Sequence, residues 1–450
     1  MSRVALVGEN SIPFVGQLIN IWNVGHCAVL INPKMPKDIA LKMMRDAEVI
    51  SCYIERGIWG IVEEKVVEEI TCIPYDGNIV TDFLPQELYD KFIPQYTQDE
   101  AVVIYSSGTT GTSRGIILSH YAINKNADAI ASYMQLSERD VLYVVKPLTH
   151  SSSLTGELLV ALKKKNKIVI GSSVRLPRVI LKNIKKFEVT HLFLNPFLAF
   201  MLSKEQQRTK YEIESLKTIY ISGAVLNQET YEEVHRVFYQ QSIYNVYGLS
   251  ETAPRIAAQC NDCCKNNSVG KPIEGVKVAI INEEGENSKR FEYGIVHVKS
   301  PSLFKGYITG ETKHPPLRAH WFNTGDVGYT DDDGELHIVG RIDDVINIGA
   351  QKIYPSDVEH TICKYTHVKE CVVTSITVEG KELLGCLYVA DNYIGIRERK
   401  ILSKKLLQHE IPSLFVRAKL VPRTNAGKID MGEVKRNITK YARNNRKMDL

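Results

Sequence analysis

The chain has 450 residues, too many for one compact core, so two or three domains are expected. With 44% hydrophobic and 24% charged residues it has the make-up of an ordinary globular protein. A net charge of +4 is too near balance to argue for nucleic acid or a membrane surface as partner. No apolar run is long enough to span a bilayer. No succession of basic, apolar and small residues marks an N-terminal signal segment. Nine cysteines without disulfide-like spacing suit a reducing, cytoplasmic setting. The tight group Cys260, Cys263 and Cys264 lacks a fourth ligand at zinc spacing and reads as a polar surface loop.

In chain order, Val4-Ala5-Leu6-Val7 reads as a buried strand, residues 13–22 as a helix, and Cys27-Ala28-Val29-Leu30-Ile31 as a second strand closed by Asn32-Pro33. This strand–helix–strand rhythm returns over residues 141–221 and predicts doubly wound sheets, mostly parallel, with helices on their faces. After about residue 269 the texture changes to short strands such as 276–281 and 294–298, pointing to a small antiparallel barrel or sheet. Residues 340–344 read as a charged turn. The last hundred residues mix helix and strand as a compact α+β unit, and the basic stretch 435–447 reads as a solvated terminal helix. The expected layout is therefore an N-terminal core over 1–340, made of layered α/β subdomains to 268 and a small β subdomain to 340. A junction at 341–344 and a C-terminal domain over 345–450 complete it.

Between two core-like strands, 101–105 and 116–118, lies Ser106-Ser107-Gly108-Thr109-Thr110-Gly111-Thr112-Ser113-Arg114-Gly115. Its glycines permit tight turns and close approach of backbone N–H groups to an anion, its hydroxyls add neutral donors, and Arg114 adds a planar cationic fork suited to phosphate. No Gly-Lys-Ser/Thr closes the loop, so it is not the Walker type, and its glycines do not follow the dinucleotide spacing. Ser119 is placed to cap a helix whose inner face is Ile123, Ala127, Ile130 and Met134.

The run from Tyr105 to Gly115 resembles the signature loop of the adenylate-forming superfamily of acyl- and aryl-CoA synthetases, adenylation domains of non-ribosomal peptide synthetases, and luciferase. Further motifs follow in that family's order: Ser222-Gly223-Ala224-Val225-Leu226, Asn245-Val246-Tyr247-Gly248-Leu249-Ser250-Glu251, Thr324-Gly325-Asp326, Gly340-Arg341-Ile342-Asp343-Asp344, and Pro422-Arg423-Thr424-Asn425-Ala426-Gly427-Lys428-Ile429. The resemblance implies ATP-dependent activation of a carboxylic acid to acyl-AMP, with pyrophosphate release, and then transfer to a thiol. That thiol is CoA or the phosphopantetheine of an acyl or aryl carrier protein. A nucleotide-binding homologue without ligase activity is the alternative of another class.

The resemblance also implies roles. Ser106, Ser107, Gly108, Thr109, Thr110, Gly111 and Thr112 hold phosphates with Arg114. Gly223, Ala224, Asn245, Tyr247, Gly248 and Ser250 surround the adenine side, Asp326 serves ribose, and Arg341 contacts ribose or phosphate. Glu251, with Thr110, binds Mg2+. Asp343 is the hinge of a mobile C-terminal domain that delivers Lys428 for adenylation and, after rotation, Gly349 to the thiol tunnel. His150, Ser151, Asn195, Gly223 and Leu249 line the acyl pocket, His150 as its guard.

The family's usual Pro-Lys-Gly is Ser113-Arg114-Gly115 here, and Ser250 replaces a threonine with its hydroxyl retained. Family members carry several tens of residues before the segment resembling Val4-Ala5-Leu6-Val7, so a shortened edge of the N-terminal sheet is expected, and a homodimer contact is one way to cover it. No Asp stands between Lys146 and Gly156 or in Asn195-Pro196-Phe197, which disfavours an α-amino acid and favours an aryl or acyl acid.

Overall fold

The apolar runs of the first half assemble into two eight-stranded sheets. The first runs in the order Gly306–Tyr307, Arg114–Ser119, Glu100–Ser106, Cys27–Ile31, Arg3–Val7, Val49–Glu55, Ile70–Tyr75, Lys65–Val67. The strands from Glu100–Ser106 to Ile70–Tyr75 are parallel to one another. Cys27–Ile31 is buried at every position, the signature of a strand covered on both faces rather than one. The first strand of the chain is interior, flanked on both sides. The sheet ends on the very short strands Gly306–Tyr307 and Lys65–Val67, which offer little backbone for unwanted pairing.

The computed structural model of the chain describes residues 2–77, 81–106, 114–171, 176–226, 228–259, 268–308, 321–348, 351–378, 381–423 and 429–445. Its second large sheet runs Lys271–Pro272, Arg255–Ala258, Ser242–Gly248, Thr218–Ile221, His191–Leu194, Val141–Val144, Lys167–Ile170, Asp82–Phe83. The five strands from Ser242–Gly248 to Lys167–Ile170 are parallel, and antiparallel strands finish both sides. Parallel neighbours require long crossovers, and the crossovers here are helical. The helix His120–Met134 starts as expected, with Ser119 Oγ accepting from the amide of Ala122 at 3.1 Å, and it buries Ile123, Ala127, Ile130 and Met134. A second helical stretch begins at Ser151, widens into a π-helix over Leu154–Leu159, and continues to Lys164.

Lys277–Ile281, Gly294–Lys299, Phe322–Thr330 and Leu336–Arg341 form a four-stranded sheet, the expected small β element. The chain groups into two compact units, one of Met1–Gly223, Val237–Ala279 and His297–Thr324, the other of Ala224–Arg236, Ile280–Val296 and Gly325–Leu450. Within the second unit, Glu370–Val378 pairs antiparallel with Lys381–Val389, which pairs parallel with Leu414–Ala418. Side chains alternate across a strand. Cys371, Val373, Leu384, Cys386 and Tyr388 therefore face Val358 and Ile362 of the helix Pro355–Tyr365. Val372, Ile376, Leu387 and Val416 face Val434, Ile438 and Ala442, which recur every fourth residue along the helix Met431–Asn445. Among the described residues no helix is long and apolar enough to cross a membrane.

Ile438 is fully buried in that second layer. Ile438→Ala should cost about 2–5 kcal/mol. Hydrogen exchange should then show lost protection along Glu370–Val378, and unchanged protection would refute this packing.

Candidate active site

The predicted phosphate loop is closed by an antiparallel hairpin in which Ser106 stands opposite Arg114. Ser107, Gly108, Thr109, Thr110, Gly111 and Thr112 lie outside the described residues, as do Gly349, Lys428 and Cys260, Cys263 and Cys264. Arg114 starts the return strand, and its guanidinium carbon sits 5.7 Å from the ring centroid of Tyr307, within cation–π reach. Tyr307 is brought there by the short strand Gly306–Tyr307, which pairs it with Ile116. Its hydroxyl donates to Glu251 Oε1 at 3.0 Å. The Glu251 carbonyl in turn accepts from the amide of Phe304 at 2.8 Å. Burial, reinforced by the Glu251 carboxylate, pushes the Tyr307 phenol well above its ordinary range and keeps it a donor at neutral pH.

Glu251 lies in the 3-10 turn Ser250–Thr252, just after the strand Ser242–Gly248. A bulge between Tyr247 and Gly248 shifts the register against Arg255–Ala258. Only glycine fits at 248, because a Cβ there would come within 1.9 Å of the Pro254 carbonyl oxygen. Asn245 is held at both ends: its amide donates to Gln259 Oε1 at 2.8 Å, and its Nδ2 donates to the Ser268 carbonyl at 3.0 Å. Tyr247 and Leu249 are half-buried. The hydroxyls of Ser250 and Ser151 are 3.1 Å apart, which joins the predicted nucleotide motif to the predicted acyl-pocket segment.

Four neighbouring parallel strands explain why distant sequence positions gather here. Val141–Val144, His191–Leu194, Thr218–Ile221 and Ser242–Gly248 run in one direction. Their C-terminal ends lead into the segment carrying His150 and Ser151, into Asn195, into Gly223, and into Leu249 to Glu251. In open α/β sheets ligands bind outside such strand ends. His150 is exposed and begins the helical stretch, its amide bonded to the Pro147 carbonyl. Asn195 caps the helix Pro196–Thr209, its Oδ1 accepting from Leu198 at 2.7 Å, so its side-chain amide is the group left for a ligand. Gly223 takes φ +93, a left-handed conformation open to glycine, and both it and Ala224 are exposed.

In the second unit, Asp326 and Arg341 face each other across paired strands, and Arg341 Nη1 donates to Asp326 Oδ1 at 2.9 Å. Asp326 is buried and Arg341 half-buried, so the carboxylate is steadied while the guanidinium stays within reach of solvent. Asp343 is exposed in the 3-10 turn Ile342–Asp344.

A single carboxylate steadied by a phenol hydroxyl suits a hard cation that draws its other ligands from phosphate and water. Glu251 meets that description, and among the described residues no group of three His, Cys, Asp or Glu side chains is placed to hold a metal unaided.

The family model described as AMP-binding enzyme matches residues 1–308, more than half of the chain. The chain belongs to the AMP-binding enzyme family. Among curated relatives, this AMP-binding enzyme is 24% identical to 4-coumarate-CoA ligase 1 of Narcissus pseudonarcissus, over 99% of its own length and 86% of the relative's. It is 27% identical to a 2-succinylbenzoate–CoA ligase of Bacillus velezensis, over 95% of its length and 86% of the relative's. Among solved structures it resembles ATP-bound MatB from Rhodopseudomonas palustris with a TM-score of 0.84 at 24% identity, covering 97% of this chain and 88% of that one.

Two residues of this AMP-binding enzyme escaped sequence reasoning. Tyr307 gave no local signal, since its importance comes from pairing with a strand far away in sequence. Glu157 stands one residue beyond the Asp-free stretch from Lys146 to Gly156, and its signal is a carboxylate inside the apolar run from Leu154 to Leu162. It is fully buried in the π-helix, with Lys146 Nζ 3.2 Å from its Oε1. Burial pushes its carboxyl from an ordinary 4.5 up to about 7, against the downward pull of Lys146 and, more weakly, Arg255.

Tyr307→Phe should lower kcat/KM for ATP about 2–10-fold, the worth of one hydrogen bond, in an acid-dependent pyrophosphate-release assay with unchanged circular dichroism. A wild-type rate would show that the phenol hydroxyl does not steady Glu251. A carboxyl whose pKa is raised in the folded state stays protonated longer there than in the unfolded chain. Its contribution to stability therefore falls as pH rises from about 4.5 to 7. Glu157→Gln should flatten the decline of Tm across that window relative to wild type; parallel Tm–pH curves would refute the buried, proton-holding state.

Proposed function

We propose that the chain is an AMP-forming acid–thiol ligase that activates an aryl or acyl acid, not an α-amino acid, and passes the acyl group to CoA. The observation that carries this reading is the convergence of Arg114 and Glu251 on the Tyr307 side chain, beside a loop of the phosphate-cradling type. Family membership and the ligase names of the relatives agree with it.

In the first half-reaction the acid's carboxylate attacks the α-phosphorus of ATP, forming a C–O–P anhydride and expelling pyrophosphate. An anion must approach a polyanion, so the site has to supply positive charge and oriented donors. Arg114 and the loop from Ser106 to Thr112 serve the β- and γ-phosphates. Glu251, with the hydroxyl of Thr110, would hold magnesium, which when bound offsets charge on the triphosphate. Asn245, Tyr247, Gly248, Ser250, Gly223 and Ala224 take the adenine side, and Asp326 takes the ribose hydroxyls with Arg341 beside it. Lys428 bridges the incoming carboxylate and the α-phosphate through its ammonium donors.

In the second half-reaction the thiol attacks the acyl carbon and AMP leaves. We assign residues 345–450 to a mobile domain that turns about Asp343 between the two steps, withdrawing Lys428 and presenting the segment at Gly349 to the pantetheine arm. The acid lies against His150, Ser151, Asn195, Gly223 and Leu249. The described buried cysteines carry free thiols, in keeping with a cytoplasmic enzyme.

A panel of aryl and acyl acids, assayed for pyrophosphate release with and without CoA, tests the reading. At least one acid should give both ATP-dependent release and a CoA thioester. Release with thioester formed only on a carrier protein would move the acceptor to phosphopantetheine, and no release with any acid would leave a nucleotide-binding homologue. Lys428→Ala should reduce adenylation by at least a hundredfold while sparing thioester formation from preformed acyl-AMP. Equal loss in both half-reactions would refute the two-state assignment.

A further inference from the structure

Three cysteine side chains share the layer in which the helix Pro355–Tyr365 lies on its sheet. Cys363 stands in the last turn of that helix, and Cys371 is the second residue of the strand Glu370–Val378 that follows. Their Sγ atoms are 3.8 Å apart. Cys386, on the neighbouring strand Lys381–Val389, is fully buried in the same layer. All three stand as thiols. Thr366 pins the short connection 366–369: its hydroxyl donates to the Ile362 carbonyl at 2.6 Å and accepts from the Val368 amide at 3.2 Å. Glu359, one turn before Cys363, ties helix to strand a second time, its Oε1 accepting from the Val373 amide at 2.7 Å. The contact between the two sulfurs is thus set by the backbone on both sides.

The two thiols differ in access, since Cys363 is half-buried and Cys371 is 7% exposed. Against the downward pull of Cys363, the Cys386 thiol and burial push the Cys371 thiol well above its ordinary range. Cys371 therefore stays protonated, and an oxidant arriving from solvent meets Cys363 first. Cys52 and Cys72 make the contrast: they stand opposite each other across paired strands, but both are sealed in the core, away from any oxidant. In a reducing compartment disulfides are transient and serve redox sensing, which suits a pair held in contact and left reduced.

We propose that Cys363 and Cys371 are a reversible redox pair, in which hydrogen peroxide oxidises Cys363, Cys371 resolves it, and the disulfide staples the helix Pro355–Tyr365 to its sheet. The Cys363 sulfur attacks one peroxide oxygen, the O–O bond breaks, and the thiol proton leaves with the other oxygen as water, giving a sulfenic acid. The Cys371 sulfur then attacks the Cys363 sulfur, the S–O bond breaks, and the hydroxyl takes the Cys371 proton to form a second water. Two thiols lose two electrons and one peroxide gains them. Bonding brings the sulfurs to about 2.0 Å, an approach that the end of a helix can supply. The other end of the same helix is bonded to strands that precede Asp343: Asp357 accepts from the Tyr293 hydroxyl at 2.9 Å, and the Ser356 hydroxyl donates to the Val339 carbonyl. The staple therefore stiffens the link between the three-stranded sheet and the strand leading into Asp343. This chemistry is independent of the acid that the protein activates.

Full-length protein treated with a small excess of hydrogen peroxide, then alkylated and digested, tests the pair. The peptides carrying Cys363 and Cys371 should become linked, with a loss of about 2 Da against the two reduced peptides, and dithiothreitol should separate them. Hydrogen exchange along Pro355–Tyr365 should slow by about 10-fold in the oxidised form, in line with closure of a short loop. Cys371→Ala should leave Cys363 as a sulfenic acid that dimedone traps, and Cys363→Ala should leave Cys371 reduced. The wild-type peptide map decides the matter by itself should either variant fail to fold. Both thiols still open to alkylation after treatment, a bond from Cys363 to any other cysteine, or its direct passage to sulfinic acid overturns the pairing. Unchanged exchange in the linked form overturns the staple.

Discussion

Parallel strands cannot be joined by tight turns; each must be left by a loop and a crossover, and in a run of such strands all the exits fall on one side. Four neighbours of the second large sheet obey this restriction. Their exits carry the His150 segment, Asn195, Gly223 and the turn with Glu251, four positions spread over a hundred residues of chain. Burial of these largely apolar strands holds the exits in place. His191–Leu194 and Thr218–Ile221 are buried at every position, so no slip by one residue could expose a polar face in compensation.

Within each unit a few polar contacts arrange the charged groups. Tyr307 joins the return strand of the phosphate loop, through Arg114, to the carboxylate of Glu251. The phenol is held neutral by burial and by the neighbouring Glu251 carboxylate, so it meets that carboxylate as a donor. In the second unit the Asp326 carboxylate is held in place by the half-buried Arg341 guanidinium. The second unit is held together by apolar packing. Its three-stranded sheet is packed on both faces by helices, and the alternation of residues along Glu370–Val378 assigns each side chain to one layer.

Against this economy the buried charges of Lys146, Glu157 and Arg255 are costly, and Glu157 sits where its helix departs from regular geometry, at Leu154–Leu159. π-Helical turns add a residue to a helix and are found mostly at functional sites. Here the widened turn carries Glu157 under Lys146, behind the segment that begins at His150.

Much of the fold was legible because apolar runs and caps are local signals. The strands at residues 3–7, 27–31 and 167–170, the helix capped by Ser119, and the order of the glycine- and hydroxyl-rich motifs need only neighbouring residues to be recognised. The likeness of those motifs to an adenylate-forming family was likewise open to a linear reading. Tertiary structure alone decided what depends on pairing between distant segments. It put the first strand inside its sheet, brought Tyr307 against Glu251, and set Ser151 beside Ser250. It also turned Glu157 inward to meet Lys146. Sequence periodicity tells which face of an element is buried, but not which other element it is buried against, and the chemistry of this protein lies in that second choice.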